Sequence, residues 1–194
     1  DALTPIQKAL SLASHNAEIQ HVEIAQSMLE QHELLETPSC MPLMPNEDIT
    51  VPSKWNHPCS GKHAGILRGC EINGWPTKDY QSQEHPYHQA FKQAIQAVLG
   101  SDWEPQVTAI DGCGLPTFSN TLSELGQLFS ALAQNKDTDW IWSTMVEHPL
   151  LIGGQNRLDS TILAACNGKV LAKEGADGLL GLAIEHPDYP EGLG

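Results

Sequence analysis

Two short segments of this chain combine cysteines with charged and hydroxyl side chains between glycines and prolines. Residues 56–65 have the sequence NHPCSGKHAG, and residues 110–116 have the sequence IDGCGLP. Glycine and proline fix tight backbone angles, which is how a fold can direct several reactive groups to one point. We therefore predict that the two segments meet, and that Cys59 and Cys113 belong to one metal or nucleophile site.

The spacing of the first segment favours a reactive thiol. Cys59 and Lys62 are three residues apart, so they share a face if a helix begins here. The helix macrodipole and the neighbouring ammonium would both favour the thiolate. Two thiolates and a third donor suit a zinc ion with one position open to water. However, Cys59 and Cys113 lack the Cys-x-x-Cys spacing, and unpaired cysteines are usually small buried apolar residues. On spacing alone, a structural role is therefore favoured over a metal site.

The elements that must position these segments follow from periodicity and capping residues. Helices are predicted over residues 16–35, 60–73, 86–99, 119–134, 138–147 and 157–166. A proline-rich loop is predicted between the first two helices, over residues 37–58. Strands are predicted over residues 107–110, 169–173 and 179–185. Helices first and strands last indicate an α+β fold, which we expect to form a single domain over residues 1–194.

Composition and charge exclude several classes of partner. The chain has 194 residues, of which 40% are hydrophobic, so it is long enough for one domain with a core. Its net charge of -14 repels phosphate, so we expect no nucleic-acid partner and no anionic membrane surface. It has no apolar run of about 18 residues that could span a bilayer. Five cysteines without the spacing of a disulfide scaffold favour reduced thiols and a cytoplasmic protein.

Four segments together resemble one known family. CSGKHAG followed by DGCGLPT is similar to the L-asparaginase II family, the Rhizobium-type L-asparaginases. Residues 9–15 (ALSLASH), 153–157 (GGQNR) and 169–176 (KVLAKEGA) resemble its Ala-Ser-His element, its Gly-x-Gly-Arg turn and its late Lys-x-Gly strand. The resemblance covers nearly the whole chain. It implies a fold like that of serine β-lactamases and penicillin-binding proteins, and the hydrolysis of L-asparagine to L-aspartate and ammonia.

The same resemblance implies a zinc ion as cofactor. Its ligands would be Cys59, Lys62 and Cys113, beside the amino-acid head of the substrate. Asp111 would hold the metal-bound water. A lysine ligand must be neutral, but a metal can displace its proton. The alternatives are that Lys62 is a solvated helix lysine and Asp111 a turn-forming acid. By its chemistry, His63 could equally be a ligand or a substrate contact.

Catalysis is implied to come from Ser14, with Lys173 as the base that takes its proton. Without the resemblance, Ser14 would be a turn hydroxyl and Lys173 an exposed strand lysine. Desolvation of Lys173 would lower its pKa enough for it to act as a base. His15 is a further candidate substrate contact, or a partly buried ring. Arg157 could bind the α-carboxylate of the substrate in a bidentate manner, or it could be a surface arginine.

One feature of the family is missing. Its members carry a Ser-x-x-Lys tandem upstream of the Ala-Ser-His element, and this sequence contains no Ser-x-x-Lys. We therefore predict a central fragment that lacks the family's N-terminal region and C-terminal strands. A second copy or a complementing segment is expected to cover its open strand edge. The rival interpretations are a Ser-Lys hydrolase of the penicillin-binding type, in which the cysteines are idle, and an inactive zinc-stabilised module.

Overall fold

Most of the regular secondary structure is helical, and the three-stranded sheet lies in the last part of the chain. The computed structural model describes residues 3–30, 35–43 and 49–194. Within these residues the α-helices are α1 (Pro5–Ser11), α2 (Ile19–Ser27), α3 (Ser60–Asn73), α4 (Pro86–Leu99), α5 (Leu122–Gln134), α6 (Trp140–Glu147), α7 (Pro149–Ile152) and α8 (Leu158–Ala165). Short 3-10 helices lie at Lys54–Asn56 and Ala176–Gly178. None of the described helices is both long and apolar enough to cross a membrane.

The strands form two small antiparallel sheets. A hairpin pairs β1 (Thr108–Ile110) with β2 (Pro116–Phe118), and the loop between them carries residues 111–115. The second sheet has the order β3 (Val170–Glu174), β4 (Leu180–His186), β5 (Tyr189–Leu193). In it, Lys173 pairs with Gly181. The architecture is therefore α+β, as the order of helical and strand patterns predicts; a β-lactamase-like fold stays a prediction.

The core consists of two hydrophobic clusters that meet at α1. Leu10 packs in the first, which is formed mainly by α1, α2 and α3 and includes Cys113. Its neighbour Ala9 packs in the second, which contains residues of α6, α7, α8, β3 and β4. Gly61 lets α3 approach closely, because a Cβ at this position would lie 2.5 Å from the carbonyl oxygen of Leu10. The segment that follows α1 is therefore fixed between both clusters.

Most predicted elements are present with shifted ends. The predicted helix over residues 60–73 is confirmed as α3, which ends at Gly74 in the left-handed conformation (φ 66°). The predicted helix over residues 86–99 is confirmed as α4. The helices predicted over 119–134, 138–147 and 157–166 begin one to three residues later, at Leu122, Trp140 and Leu158. Thr121 and Asp139 cap two of them, because their side chains accept hydrogen bonds from the first turn.

The prediction over residues 16–35 was wrong at its start. Ala17 has a positive φ of 61°, which a helix cannot contain, so α2 begins at Ile19 after Glu18. The helix ends at Ser27, well before the predicted end. Residues 31–34 of that prediction lie outside the described residues. The sequence patterns also did not predict α1, α7, β2 and β5.

Candidate active site and metal centre

The two cysteine-bearing segments meet, as their composition predicts. Cys59 is the residue before α3, and Cys113 lies in the β1–β2 loop with Asp111. One ligand atom from each of Cys59, Asp111 and Cys113 lies within 4.8 Å of the others, so this group could hold a metal ion. The thiol of Cys113 is 3.3 Å from Oδ2 of Asp111, and the amide of Cys59 donates to Nδ1 of His57 at 3.1 Å. Each of these contacts lies within one segment and fixes its local conformation.

The two thiols differ in acidity because they interact with each other. The hydrogen bond with Cys113 is the largest effect on Cys59 and lowers its pKa to about 6, with a further contribution from Lys62, although burial opposes the change. The same hydrogen bond, with burial, raises the pKa of Cys113 to about 12. Without metal, the pair therefore holds one proton between two sulfurs. A metal that binds both sulfurs must displace that proton.

Lys62 interacts with the charges of this group. Burial lowers its pKa, but the charges of Cys59, Cys113 and Asp111 outweigh this effect, so the pKa is raised overall. Its ammonium interacts electrostatically with Cys59. The amine thus lies beside the thiolate and would have to lose its proton to become a ligand. Two sulfurs, a carboxylate oxygen and an adjacent amine fit a small divalent cation.

His63 lies behind the cysteines and is fully buried. Its Nδ1 is 2.7 Å from the hydroxyl of Tyr80, which also accepts the amide of Glu36 at 2.9 Å. All of these groups are satisfied if Tyr80 donates to Nδ1, which places the ring proton on Nε2. Nε2 has no hydrogen-bond partner of ordinary geometry within the described residues, yet its interaction with Cys113 lowers the pKa of that thiol. The His63 ring and the Cys113 thiol therefore influence each other's protonation.

A second set of predicted residues lies on the segment after α1. Its amides donate to carbonyls of two other segments: Ser14 to Ile152 at 3.0 Å, His15 to Pro58 at 3.0 Å and Asn16 to Gly153 at 2.9 Å. The backbone of Ser14 is therefore held between the segment that precedes α3 and the end of α7. The Ser14 side chain is half-buried.

Lys173 lies near both sets of residues. Burial lowers the pKa of Lys173, and the charge of Lys62 acts in the same direction. The charges of Asp159 and Cys59 oppose this change, but the pKa is lowered overall. The charge of Lys173 in turn contributes to the lowered pKa of His15. Its Nζ donates to the carbonyl of Glu174 at 2.8 Å. Lys173 is thus a half-buried lysine whose protonation is influenced by the charges of Cys59 and Lys62 and whose charge acts on His15, the neighbour of Ser14.

His15 is fully buried and neutral. Its Nδ1 accepts the amide of Ala17 at 3.0 Å, so Nε2 carries the proton and donates to Oγ of Ser60 at 3.1 Å. Ser60 Oγ donates in turn to the carbonyl of Trp55 at 3.0 Å. Since the Ser60 hydroxyl proton is already engaged, Ser60 acts as a structural group at the start of α3.

Arg157 precedes α8 and is already paired. Its Nε donates to Glu174 at 2.8 Å and its Nη1 donates to Oδ1 of Asn16 at 3.2 Å. The side chain is 19% exposed. A substrate carboxylate would therefore have to meet the remaining guanidinium N–H groups while Glu174 neutralises part of the charge.

Comparison with known proteins assigns the chain to a family. Residues 2–192 match the family described as L-asparaginase II. The chain belongs to the L-asparaginase II family. A search of curated proteins found no match. Membership supports an asparaginase-type hydrolase with a small-molecule substrate.

In this L-asparaginase II chain, the nine residues predicted from the sequence fall into two groups. One group surrounds the thiols and contains Cys59, Lys62, His63, Asp111 and Cys113. The other group lies around Lys173 and contains Ser14, His15 and Arg157. Their roles stay predictions. The complete burial of His15 and His63 favours roles in supporting other site residues rather than in direct contact with a substrate.

Several polar residues of the site were not found from the sequence. Tyr80, His57 and Glu174 contact predicted residues, and Asp159 contacts Lys173. His57 lies directly in the NHPCSGKH segment, so its position beside Cys59 was the available signal. Glu174 likewise adjoins Lys173. Tyr80 and Asp159 are 17 and 14 positions from their partners, and no local pattern links them.

Replacing Tyr80 with phenylalanine tests the His63 arrangement. The change leaves the part-buried amide of Glu36 and the buried Nδ1 of His63 without their shared partner, and an unsatisfied buried group costs about 1–3 kcal/mol. We expect the free energy of unfolding of metal-free protein in urea to fall by at least about 1 kcal/mol. Tyr189→Phe, on an exposed side chain, is the control and should change it by less than about 0.5 kcal/mol. Equal effects of the two changes would contradict the arrangement.

His21 forms a second neutral ring against His15. The two rings stack with centroids 4.9 Å apart, and Nδ1 of His21 accepts the amide of Glu18 at 3.1 Å. Its Nε2 therefore carries the proton and donates to the carbonyl of Leu150 at 2.9 Å. Burial is the main cause that lowers the pKa of both rings below the ordinary value of 6.5. Protonation of either ring would remove an acceptor and place a charge in a buried site, and protonation of both would place two cations together.

This pair predicts a loss of stability in acid. Because the folded-state pKa values lie below the unfolded value of 6.5, the stabilisation is present above that pH and is lost as the pH falls below it. Each ring contributes a slope of up to about 1.4 kcal/mol per pH unit. We expect the Tm of metal-free protein to fall between pH 7.5 and 5. The fall should be smaller in His21→Gln and unchanged in His186→Gln, a change on a more exposed ring. The same fall in His21→Gln as in the parent would contradict this account.

Proposed function

We propose that this chain belongs to an L-asparaginase that hydrolyses the side-chain amide of L-asparagine to L-aspartate and ammonia. The observation that carries the proposal is the position of Lys173 in a chain of the L-asparaginase II family. The charge of this half-buried lysine acts on His15, the neighbour of Ser14, and the charge of Cys59 in the cluster of two cysteines and an aspartate acts on the lysine. A nucleophile, a base and a cation-binding group would then serve one substrate.

Ser14 and Lys173 would carry out the bond changes. A serine hydroxyl is a weak nucleophile until a base removes its proton. The Lys173 amine, whose pKa is lowered by burial, takes the proton while Ser14 Oγ bonds to the amide carbon. The carbon–nitrogen bond then breaks, the Lys173 ammonium returns the proton to the leaving nitrogen, and ammonia departs. Water attacks the β-aspartyl ester with Lys173 again as the base, which releases L-aspartate and restores Ser14.

The cysteine cluster would hold zinc through Cys59, Lys62 and Cys113. Sulfur donors favour zinc over harder cations such as magnesium, and a neutral amine is a compatible third donor. When bound, zinc would supply positive charge that positions and polarises the amino-acid head of the substrate. Asp111 is exposed and belongs to the cluster, so its carboxylate would accept a hydrogen bond from a bound water or from the substrate ammonium.

The remaining predicted residues would orient the substrate and the loops. Arg157 is proposed to bind the α-carboxylate with its free N–H groups, while Glu174 and Asn16 fix its guanidinium plane. His15 would act through Ser60 and His63 through Cys113, since both rings are buried. The five unpaired cysteines are compatible with the cytoplasm, which we propose as the location of the protein.

Ammonia release from L-asparagine tests the proposed activity and separates it from its rivals. The zinc-loaded protein should release ammonia and L-aspartate in equal amounts. A chromogenic β-lactam should be hydrolysed at less than about a hundredth of that rate. It lacks the amino-acid head of L-asparagine and so cannot bind the site proposed for that head. Faster hydrolysis of the β-lactam would favour the penicillin-binding type. Zinc binding without either reaction would favour a non-catalytic module.

A further inference from the structure

Asp159 is a fully buried carboxylate at the start of α8, beneath the end of β3. Its Oδ1 accepts the amide of Ser160 at 2.8 Å, and its Oδ2 accepts the amide of Glu174 at 3.2 Å. Nζ of Lys173 lies 3.7 Å from the same Oδ2. Two amides and one ammonium thus converge on one carboxylate, which is what a buried charge requires to be tolerated.

The fold makes room for this carboxylate. Gly153 faces it, and a Cβ at that position would overlap Oδ1 of Asp159. The amide of Gly153 instead donates to Oγ of Ser160 at 3.1 Å, and its carbonyl accepts the amide of Asn16 at 2.9 Å. The segment next to Ser14, the start of α8 and the end of β3 are therefore connected through a few buried hydrogen bonds around Asp159.

We propose that Asp159 is the positioning residue of Lys173: its carboxylate fixes Nζ at the end of β3 and controls how readily the amine becomes free to accept a proton. This role rests on the proposed function of Lys173 as the base for Ser14. It extends that function by adding a third, buried member to the Ser-Lys pair. A purely structural Asp159 would support the two amides and leave the protonation of Lys173 unaffected.

The charges around Lys173 fix the direction of the expected effect. Burial lowers its pKa and the Asp159 carboxylate raises it. In the metal-free protein, the other groups that act on Lys173 are the cations Arg157 and Lys62 and the thiolate of Cys59, while the neutral ring of His15 is nearby. Removing the carboxylate charge leaves burial and the cations, so the amine should become neutral at a lower pH. An opposite charge at this range typically changes a pKa by about 1–3.

Asp159→Asn, which keeps the shape and one acceptor oxygen, is the test. In zinc-loaded protein, the pH dependence of acetic anhydride labelling at Lys173, followed by peptide mass spectrometry, reports the protonation of that amine without requiring turnover. We expect the midpoint pH of Lys173 labelling to be lower in the Asp159→Asn variant than in the parent, by about 1 pH unit or more. With L-asparagine, the rising limb of kcat against pH should move in the same direction. Maximal kcat should fall about 10-fold or more, and KM should change by less than about 3-fold.

The matched control removes an exposed carboxylate that lies beside another lysine. Asp137 lies 3.1 Å from Lys136 and is 82% exposed, so Asp137→Asn should leave the labelling of Lys173 and the pH profile unchanged. An unchanged Lys173 midpoint in Asp159→Asn would overturn the proposal. A parent protein that releases no ammonia, but in which Asp159→Asn lowers the midpoint, would refute the proposed function and retain the Asp159–Lys173 pairing.

A second pair of variants covers the case in which Asp159→Asn alone does not fold. Lys173→Met leaves a buried carboxylate without its cation and should lower the Tm. Adding Asp159→Asn to Lys173→Met should restore part of that loss, because the double variant buries neutral groups only. A further fall in Tm, equal to or larger than the first, would overturn the pairing.

Discussion

Alanine at Ser14 or at Lys173 is expected to lower kcat for L-asparagine by roughly 100-fold or more and to leave KM largely unchanged. The reason is that the pair acts on the bond changes, while the binding groups lie elsewhere. Lys173 is half-buried and its pKa is lowered by burial, which suits a base near neutral pH. Ser14 lies on a segment whose backbone is held by three hydrogen bonds. The measurement is steady-state ammonia release with the zinc content matched between variants.

Matched controls for this experiment are available on the same elements or nearby. Lys169 immediately precedes β3 and is exposed, and Ser143 is exposed on α6. Alanine at either position should leave kcat within about 2-fold, because surface changes away from the site are nearly neutral. Near-normal turnover in Ser14→Ala would assign the nucleophile to another serine of the protein. A Lys173→Ala variant with normal kcat and an unchanged pH profile would exclude Lys173 as the base.

Serine at Cys59 or at Cys113 is expected to remove the zinc. Each change replaces a thiolate ligand with a neutral hydroxyl, and even changes outside the ligand set typically weaken metal affinity about 10- to 100-fold. We therefore expect competition with a chromophoric chelator to show a loss of more than about 100-fold in zinc affinity for each variant. The metal content after gel filtration should fall from about one ion per chain to less than about a tenth.

The control for the cysteine variants is Cys166→Ser. Cys166 ends α8, is partly exposed and has no place in the metal-binding group formed by the described residues. This variant should keep the zinc affinity of the parent. Full zinc content in both Cys59→Ser and Cys113→Ser would show that zinc binds at another site.

Local sequence signals predicted the elements that the chain forms by itself. Asn73-Gly74 ends α3 because glycine can adopt the left-handed conformation, and Pro86 begins α4 because its missing N–H is not needed there. The start of α2 could not be predicted, because Ala17 adopts a positive φ that neighbouring segments impose. Strand β5 contains Pro190 and Gly192, which argue against a strand, and forms because β4 and α5 pack against it.

The site shows the same division between local and distant information. The meeting of Cys59 with Cys113 was predictable, because two loops of unusual composition each carried one thiol beside a charged residue. The contact of Asp159 with Lys173 was not, because an aspartate in the first turn of a helix is common and its burial depends on how β3 packs on α8. Tyr80 was missed for the same reason, since only the fold brings its hydroxyl to His63.

A crystal structure of the zinc-loaded protein with bound L-aspartate would test the central claim most directly. We predict zinc at about 2.3 Å from the sulfurs of both Cys59 and Cys113, which anomalous scattering can identify. The β-carboxyl carbon of L-aspartate should lie about 3–3.5 Å from Oγ of Ser14, and Nζ of Lys173 should be within hydrogen-bond reach of that oxygen. L-aspartate bound far from Ser14 and Lys173, or zinc bound without either cysteine, would contradict the account.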